Sequence, residues 1–329
     1  MTNIGFMLLA AVGLVVSFVL LVKGADYFVD GCVSIAKLLR VPNLIIGLTI
    51  VAMGTSAPEA AVSISSAITD PSNAGITVGN LLGSNLLNIL VILGVSAVIV
   101  PISVDRSLLK KDFPLLMGSA ILVPLLFWIF GLKGTRLAGV IVLALFAVFM
   151  VWTVMNALTS RKNALNAPSE DVPDEKPMSV PKSIIYAVAG LAVVIGGGQL
   201  AVTCAKYIAH GIGISDSLIG LTVVALGTSL PELITSVVAA RKGNSDLALG
   251  NVIGSNLFNI LFILGGCSMI TPLTLGDIDI IDISMVVLAA VLPFIFAFTL
   301  KGRKLDRIEG AAMVLIYIGY VAWLISKVL

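Results

Sequence analysis

Apolar segments of about 20 residues recur along the whole chain, and they restrict its fold more than any other feature. A helix of that length crosses the hydrocarbon core of a bilayer, which is roughly 30 Å thick. The segments are continuously apolar rather than alternating, so they predict helices and not the strands of a membrane barrel. Only 12% of the residues are charged, whereas soluble domains contain about 25%. The sequence therefore predicts an all-α polytopic membrane protein.

We expect about ten transmembrane helices, five on each side of a polar segment. The segment Thr159–Lys182 contains four prolines and four acidic residues, so we expect a flexible linker there. It divides the chain into a first five-helix repeat at 1–158, a cytoplasmic linker at 159–182 and a second five-helix repeat at 183–329. The expected spans are approximately Ile4–Val22, Asn43–Ile68, Thr77–Val100, Phe113–Phe130, Leu137–Leu158, Ser183–Thr203, Ser217–Arg241, Ala248–Ile270, Ile283–Leu300 and Ile308–Lys327. The first can run on through Ala25-Asp26-Tyr27 as a long tilted helix, and the third is expected to be interrupted at Gly83-Ser84-Asn85.

The two halves are related by an internal duplication. Gly47–Ser63 matches Gly220–Ser236 with 11 of 17 residues identical, and Gly79–Pro101 matches Gly250–Pro272 with 14 of 23 identical. The identities concentrate on polar and glycine positions, which lipid-facing helices do not require. Because five spans per half is an odd number, the second half enters the membrane from the opposite side. We therefore expect two inverted repeats, an arrangement typical of secondary transporters.

The distribution of Lys and Arg predicts the orientation of the chain. With the N-terminus outside, 16 of the 20 basic residues fall in cytoplasmic segments. Both termini are therefore expected on the outer side of the inner (plasma) membrane. The lipid bilayer is the expected surrounding, no pattern typical of nucleic-acid binding is present, and nothing indicates an obligate protein partner.

Each half of the duplication places a carboxylate at a depth where lipid normally surrounds a helix. The hexapeptide Gly54–Glu59 is Gly-Thr-Ser-Ala-Pro-Glu, and it returns with one change as Gly227–Glu232. A charge at the centre of a bilayer costs at least about 2.5–3.5 kcal/mol, so both acids are predicted to be functional. Pro58 and Pro231 are expected to break their helices, because proline lacks a backbone donor and obstructs the carbonyl four residues earlier. The breaks are expected to free backbone carbonyls just before each proline.

A further polar cluster lies on the span that follows each acid. The residues of these clusters are Thr55, Ser56 and Glu59 followed by Ser84, Asn85 and Asn88, and then Thr228, Ser229 and Glu232 followed by Ser255, Asn256 and Asn259. Such a set of oxygens suits hard cations, namely Ca²⁺ and the chemically similar Na⁺. It lacks the His and Cys ligands that zinc, copper and iron prefer.

Enzyme chemistry is not indicated. No set of nucleophile, histidine and acid can be assembled, no GxxxxGK[ST] phosphate-binding motif occurs, and no cofactor is predicted. Asp26 and Asp30 have no acidic counterparts in the second half, so we expect an interfacial or structural role for them.

The duplicated segments resemble the α-repeats of the sodium/calcium exchanger family, part of the cation/Ca²⁺ antiporter superfamily, and especially its compact prokaryotic members. The resemblance rests on Gly47–Glu59 with Gly79–Asn88, on the repeats that end at Glu232 and Asn259, and on Gly24–Asp30. It implies a secondary active Na⁺/Ca²⁺ antiporter that works by alternating access. The ion ligands that it implies are the side chains of Thr55, Ser56, Glu59, Ser84, Asn88, Thr228, Ser229, Glu232, Ser255 and Asn259, with the carbonyls of Ala52 and Ala225.

Two departures from the family pattern are visible. Some members carry Asp at the position of Asn259, so this site has two carboxylates rather than three. The linker is also too short for the cytosolic Ca²⁺-sensing domains of animal exchangers.

Two related functions stay open alongside Na⁺/Ca²⁺ exchange: Ca²⁺/H⁺ antiport and K⁺-dependent Na⁺/Ca²⁺ exchange. The Gly-Thr-Ser-x-Pro-Glu form resembles the Na⁺-coupled branch more than the Gly-Asn-Ala-x-Glu pattern of proton-coupled relatives. A passive channel is disfavoured because the chain has no pore-loop repeat, and a scaffold would not need two intramembrane acids.

Overall fold

The computed structural model describes residues 4–69, 74–104, 106–110, 112–129, 133–166, 177–211, 225–274, 278–299 and 304–328. In the first half the helices are α1 (Ile4–Leu39), α2 (Asn43–Ile46), α3 (Ala52–Thr55), α4 (Ala57–Thr69), α5 (Ala74–Leu86), α6 (Gly94–Ile99), α7 (Arg106–Lys110), α8 (Asp112–Ile129) and α9 (Arg136–Asn166). In the second half they are α10 (Val180–Gly211), α11 (Ala225–Thr228), α12 (Leu230–Arg241), α13 (Ser245–Leu257), α14 (Gly265–Ile270), α15 (Ile280–Thr299) and α16 (Arg307–Val328). Wider π-helical turns join several of these: π1 (Gly47–Val51), π2 (Leu87–Leu93) and π3 (Phe258–Leu264).

The prediction of an all-α protein is confirmed. Among the described residues, seven helices are long and apolar enough to cross a membrane, or eight if the bent pair Asn43–Thr55 and Ala57–Thr69 is one span. The expected span Ser217–Arg241 falls partly on residues 212–224, which lie outside the described residues. The count of ten spans and the inverted repeats therefore stay predictions.

The polar segment between the halves is more helical than expected. Helix α9 continues to Asn166 and α10 begins at Val180, so both ends of the expected linker 159–182 belong to helices. Residues 167–176 lie outside the described part of the chain. The division into 1–158, 159–182 and 183–329 remains a prediction.

Helix α1 is the long helix that the sequence allowed, and it runs to Leu39, beyond the extension expected through Tyr27. It packs antiparallel along α10, where a Cβ added at Gly31 would meet the backbone of Ala187 and one added at Gly190 would meet the backbone of Phe28. Small residues at a helix contact let two backbones approach closely. This long contact supports the helix through and beyond the polar stretch at Ala25–Tyr27.

Two pairs of short antiparallel strands join connecting segments at the ends of the bundle. β1 (Ile102–Ser103) pairs with β4 (Lys304–Leu305), and β2 (Lys133–Gly134) pairs with β3 (Leu273–Thr274). Each pair links two connections that the predicted topology places on the same side of the membrane.

The two spans that carry the second polar clusters form the centre of the molecule. In the most apolar window, 94% of the residues of Ser245–Ile270 and 72% of those of Thr77–Ile99 are buried, against 17% for Gly5–Leu39. Helix α13 crosses the segment before the first hexapeptide at a glycine contact: a Cβ added at Gly250 would lie 2.6 Å from the Leu44 carbonyl oxygen and 2.9 Å from the Gly47 Cα. This crossing brings the acid-bearing span of the first half against the amide-bearing span of the second.

The α1–α10 contact gives a stability prediction. Gly190→Ala places a methyl group against the Phe28 backbone, so we expect it to lower the free energy of unfolding by about 1–3 kcal/mol. Gly196→Ala on the same helix meets nothing within 4 Å and should stabilise by up to about 1 kcal/mol, the helix preference of alanine over glycine. Thermal unfolding of the two purified variants in detergent measures both effects. Equal melting temperatures would contradict this description of the contact.

Candidate functional site

Both intramembrane acids follow a break in their helix. The first break is at Ser56 (φ −82°, ψ 5°), between α3 and α4, and the second is at Ser229 (φ −92°, ψ 4°), between α11 and α12. Each serine stands two residues before a proline, where the sequence predicted a disruption. In the first half the break bends the span by 49°. Non-helical backbone at this depth is tolerated where protein buries it or where it lines a cavity.

One expected consequence of the first break is wrong. The Ala52 carbonyl oxygen is not freed, because the backbone N–H of Ser56 donates to it at 3.0 Å. The hydroxyl of Thr55 lies 3.4 Å from the same oxygen. The missing N–H of Pro58 leaves this earlier hydrogen bond intact, since proline obstructs the carbonyl of Gly54 and not that of Ala52.

The two acids are joined by reciprocal hydrogen bonds between the halves of the chain. Ser56 donates through Oγ to Glu232 Oε1 at 2.9 Å, and Ser229 donates through Oγ to Glu59 Oε1 at 3.3 Å. Both glutamates are 1% exposed, and their charges interact. The second oxygen of each carboxylate, Oε2, has no hydrogen-bond partner among the described residues. Each half thus supplies an acid and the hydroxyl that holds the other half's acid.

The second polar clusters place buried asparagine side chains on α5, α13 and the π-turns. Asn259 donates through Nδ2 to Asn85 Oδ1 at 3.1 Å. Several buried oxygens have no hydrogen-bond partner in the described part of the chain, and they are Oε2 of Glu59 and Glu232, Oδ1 of Asn88, Asn256 and Asn259, and Oγ of Ser255. The buried Nδ2 of Asn85 also has none. Buried acceptors are costly when left unsatisfied, and a hard cation that takes 6–8 oxygen ligands would satisfy them.

The helix break expected at Gly83–Asn85 is wrong. Helix α5 continues without interruption to Leu86, and the distortion begins one residue later as the π-turn π2. The second half does the same, with π3 after α13. These turns contain Asn88 and Asn259, and π-turns inside helices often occur at functional sites. A widened turn thus replaces the predicted break.

Only some of the predicted ligands are in contact with the two acids. The structure links Ser56, Glu59, Ser229 and Glu232 directly, and the Thr228 hydroxyl interacts with Glu59. Thr55 is buried and donates to Asn251 Oδ1 at 3.1 Å. The other predicted side chains are buried and form no hydrogen bond with either acid in the described part of the chain, and they are Ser84, Asn88, Ser255 and Asn259. The backbone of Ala225 begins α11, and its side chain lies outside the described residues.

Sequence reasoning missed Asn251, which connects the elements of the site. It donates through Nδ2 to Ser236 Oγ at 2.9 Å and to the Glu232 carbonyl at 3.3 Å, and it accepts at Oδ1 from Thr55 at 3.1 Å. The duplication contained the signal. Its counterpart Asn80 is also an asparagine and donates to the counterpart of Ser236, namely Ser63, at 3.4 Å.

Asp26 and Asp30, for which we expected an interfacial or structural role, both form ion pairs with one lysine. The Lys242 ammonium lies 2.7 Å from Asp30 Oδ1 and 3.3 Å from Asp26 Oδ1, and it also donates to the Asp26 carbonyl at 3.0 Å. These ion pairs join α1 to the turn that follows α12.

Known proteins match this chain over nearly its whole length. The family model of the sodium/calcium exchanger protein matches residues 9–155 and 182–326. CaxA of Alkalimonas amylolytica is 41% identical over 335 residues, which cover 98% of this chain and 100% of CaxA. The sodium/calcium exchanger MaX1 of Methanosarcina acetivorans is 33% identical over 343 residues, which cover 94% of this chain and 96% of MaX1.

A solved structure has the same fold. The sodium-calcium exchanger NCX_Mj, from a crystal soaked with 10 mM Na⁺ and 10 mM Sr²⁺, superposes with a TM-score of 0.81 at 34% sequence identity. The match covers 96% of this chain and 98% of that one.

The contacts of Asn251 predict its contribution to stability. Asn251→Ala removes two donors and one acceptor from a fully buried position, so we expect a loss of about 1–3 kcal/mol in the free energy of unfolding. The matched control is Asn80→Ala, which removes one 3.4 Å bond at a half-buried position and should cost less. Thermal unfolding in detergent compares the two. A larger loss for Asn80→Ala would contradict the role assigned to Asn251.

Proposed function

Because the chain belongs to the sodium/calcium exchanger family, we propose that it is a secondary active Na⁺/Ca²⁺ antiporter whose ions bind between Glu59 and Glu232. The observation that carries this proposal is the pair of buried carboxylates, each held by a serine of the opposite half and each with one oxygen available to an ion. One Ca²⁺ or two Na⁺ neutralise two carboxylates. Ions that compete for the same charge are then exchanged rather than co-transported.

The proposed ligand set is the one that the family resemblance implies. It consists of the carbonyls of Ala52 and Ala225 and the side chains of Thr55, Ser56, Glu59, Ser84, Asn88, Thr228, Ser229, Glu232, Ser255 and Asn259. In the described part of the chain, unpartnered buried oxygens on five of these residues support the choice. The asparagines add oxygen ligands without charge, so they extend coordination but do not raise the number of cations that the acids neutralise.

The charge of the site determines how transport responds to voltage. Exchange of one Ca²⁺ for two Na⁺ moves no net charge. Any further Na⁺ bound by neutral oxygens would make the exchange electrogenic, and each charge moved is worth about 2.3 kcal/mol per 100 mV. The Na⁺ gradient would provide the driving force.

We place the ten spans in the inner membrane as two inverted five-helix repeats, with both termini on the outer side. The distribution of basic residues supports this topology. The antiparallel contact between α1 and α10 and the strand pairing of β1 with β4 are compatible with it.

We propose that alternating access involves movement of α1 and α10 against the remaining bundle. These helices begin their halves and contact one another along most of their length. The Lys242 ion pairs with Asp26 and Asp30 connect α1 to the rest of the bundle, so they would have to rearrange during such a movement.

The apposition of two acids also favours one second candidate, Ca²⁺/H⁺ antiport, in which two protons replace two Na⁺. Both candidates use the same acids. They differ only in the ion whose gradient drives Ca²⁺.

A flux assay tests the proposed function. Proteoliposomes loaded with Na⁺ should take up ⁴⁵Ca²⁺, and Glu59→Gln or Glu232→Gln should reduce the initial rate at least about tenfold, since each removes a charge that faces a divalent ion. Ser96→Ala is the matched control, because Ser96 is a buried serine without a hydrogen-bond partner and lies about two turns beyond Asn88. It should keep the wild-type rate.

The same assay distinguishes the alternatives. Uptake driven by a proton gradient and indifferent to Na⁺ would establish the Ca²⁺/H⁺ candidate, and a requirement for K⁺ would indicate K⁺-dependent exchange. Accumulation of Ca²⁺ against its gradient, with no ion gradient and no voltage, would contradict antiport.

Cross-linking tests the proposed movement of α1. In Asp30→Cys/Lys242→Cys, a thiol-specific bifunctional reagent with a reducible spacer should join the two positions, whose native side chains are 2.7 Å apart. We expect cross-linking to stop ⁴⁵Ca²⁺ uptake and reduction to restore it. Each single cysteine variant serves as the control for reaction without a bridge. Full transport by the cross-linked protein would exclude movement of α1 relative to this turn.

A further inference from the structure

A second polar cavity lies apart from the two acids, at the end of the bundle where α2, α8, α9 and α13 meet. Its volume is about 290 Å³. Its polar lining includes Asp112, Asp246, Thr153, Asn156 and Asn163. No residue of the proposed transport site contributes to this lining. The connecting segments at this end are those that the predicted topology places in the cytoplasm.

One side of the cavity is a polar stripe on α9. The residues Thr153, Asn156, Ser160 and Asn163 are spaced three, four and three apart, so they share one face of the helix. The opposite face is apolar and exposed, as expected for contact with lipid, and includes Val151, Val154, Met155 and Leu158. Contact with lipid therefore does not account for the polar face.

Thr153 indicates that the cavity binds a ligand. Its side chain is 2% exposed, and its hydroxyl has no hydrogen-bond partner among the described residues. A threonine in a membrane helix ordinarily bonds to the carbonyl of its own preceding turn, as Thr159 does at 2.8 Å. Exposure increases along the stripe, from buried Thr153 through half-buried Asn156 to exposed Asn163. The cavity therefore opens outward at its Asn163 end.

The acidic lining selects the charge of the ligand. Asp112 stands in the first turn of α8 and is 4% exposed, and Asp246 stands in the first turn of α13 and is half-buried. Helix starts favour carboxylates for the stability of the helix alone. Two of them facing one cavity, together with hydroxyl and amide oxygens, also form a set suited to a hard cation.

The volume determines how the cation would be held. At about 30 Å³ per water molecule, a cavity of about 290 Å³ accommodates an ion with most of its first hydration shell. We propose that this cavity is a binding site for a hydrated divalent cation, such as Ca²⁺ or Mg²⁺, separate from the site between Glu59 and Glu232.

The helices that line the cavity continue to the proposed transport site. Leu48, which lines the cavity, precedes Ala52 by four residues, and Asp246 precedes Ser255 on α13 by nine residues. Nine residues of helix correspond to about 13 Å. A cation in the cavity is therefore held one to three helical turns from predicted ligands, on elements that both sites share.

Terbium luminescence tests the proposal, because Trp152 also lines the cavity and transfers energy to Tb³⁺ held beside it. With the full-length protein in detergent, excitation of tryptophan should give Tb³⁺ emission that Ca²⁺ reverses. Trp152→Phe should abolish this emission. Asp246→Asn and Asp112→Asn should raise the half-saturating Tb³⁺ concentration at least about tenfold, since each removes one of two facing charges.

Further variants keep the test decisive. Thr153→Val is nearly isosteric and should weaken binding several-fold even if Asp112→Asn fails to fold. Asp282→Asn is the matched control, since Asp282 also stands in the first turn of its helix but lies in another region, where it accepts a hydrogen bond from Tyr320 at 2.6 Å. It should leave the titration unchanged. Emission that survives both Trp152→Phe and Asp246→Asn would overturn the proposal.

Separation from the transport site is tested in Glu59→Gln/Glu232→Gln. Emission that persists in this variant supports a second site, whereas loss in the folded variant shows that Tb³⁺ was bound at the transport acids and overturns the proposal. This titration requires no transport. Its failure is therefore distinguishable from failure of the exchanger assignment, which the flux assay measures.

Discussion

Two carboxylates buried in the middle of a membrane bundle are the constraint on which the rest of this structure depends. Glu59 and Glu232 are each 1% exposed, so hydrogen-bond donors of the protein must stabilise them in place of bulk solvent. The chain meets this requirement across its two halves, with Ser56 bound to Glu232 and Ser229 bound to Glu59. The helix breaks, the inner position of α13 and its glycine crossing with the first half all serve to bring these groups together.

The sequence predicted the chemistry of the site better than its geometry. The acids, their neighbouring hydroxyls and the breaks before Pro58 and Pro231 follow from local rules: a charge is costly in lipid and proline interrupts a helix. The duplication identified which polar residues belong together. The assignment to an all-α fold also followed directly from the length and continuity of the apolar segments.

The features that sequence reasoning missed depend on tertiary contacts. Helix α1 extends to Leu39 because α10 supports it along its length, which the hydropathy of one segment does not reveal. The π-turns after α5 and α13 differ from ordinary helix by hydrogen-bond register alone, and glycine and asparagine at 83–85 suggested a break that is absent. Asn251 was not among the predicted site residues, and its role depends on tertiary bonds with Thr55 and Ser236.

The reciprocal serines have a consequence for any relative motion of the two halves. Ca²⁺ ligands lie within a range of about 2.3–2.6 Å, so a shift of roughly 1 Å between the halves is enough to disrupt coordination. Because each acid is held by the opposite half, the same shift loosens Glu59 and Glu232 together. A shift between the halves therefore affects both acids at once. Neither acid can become exposed to solvent by such a shift while the other keeps its full set of contacts. If ions bind between these acids as proposed, their release would be concerted.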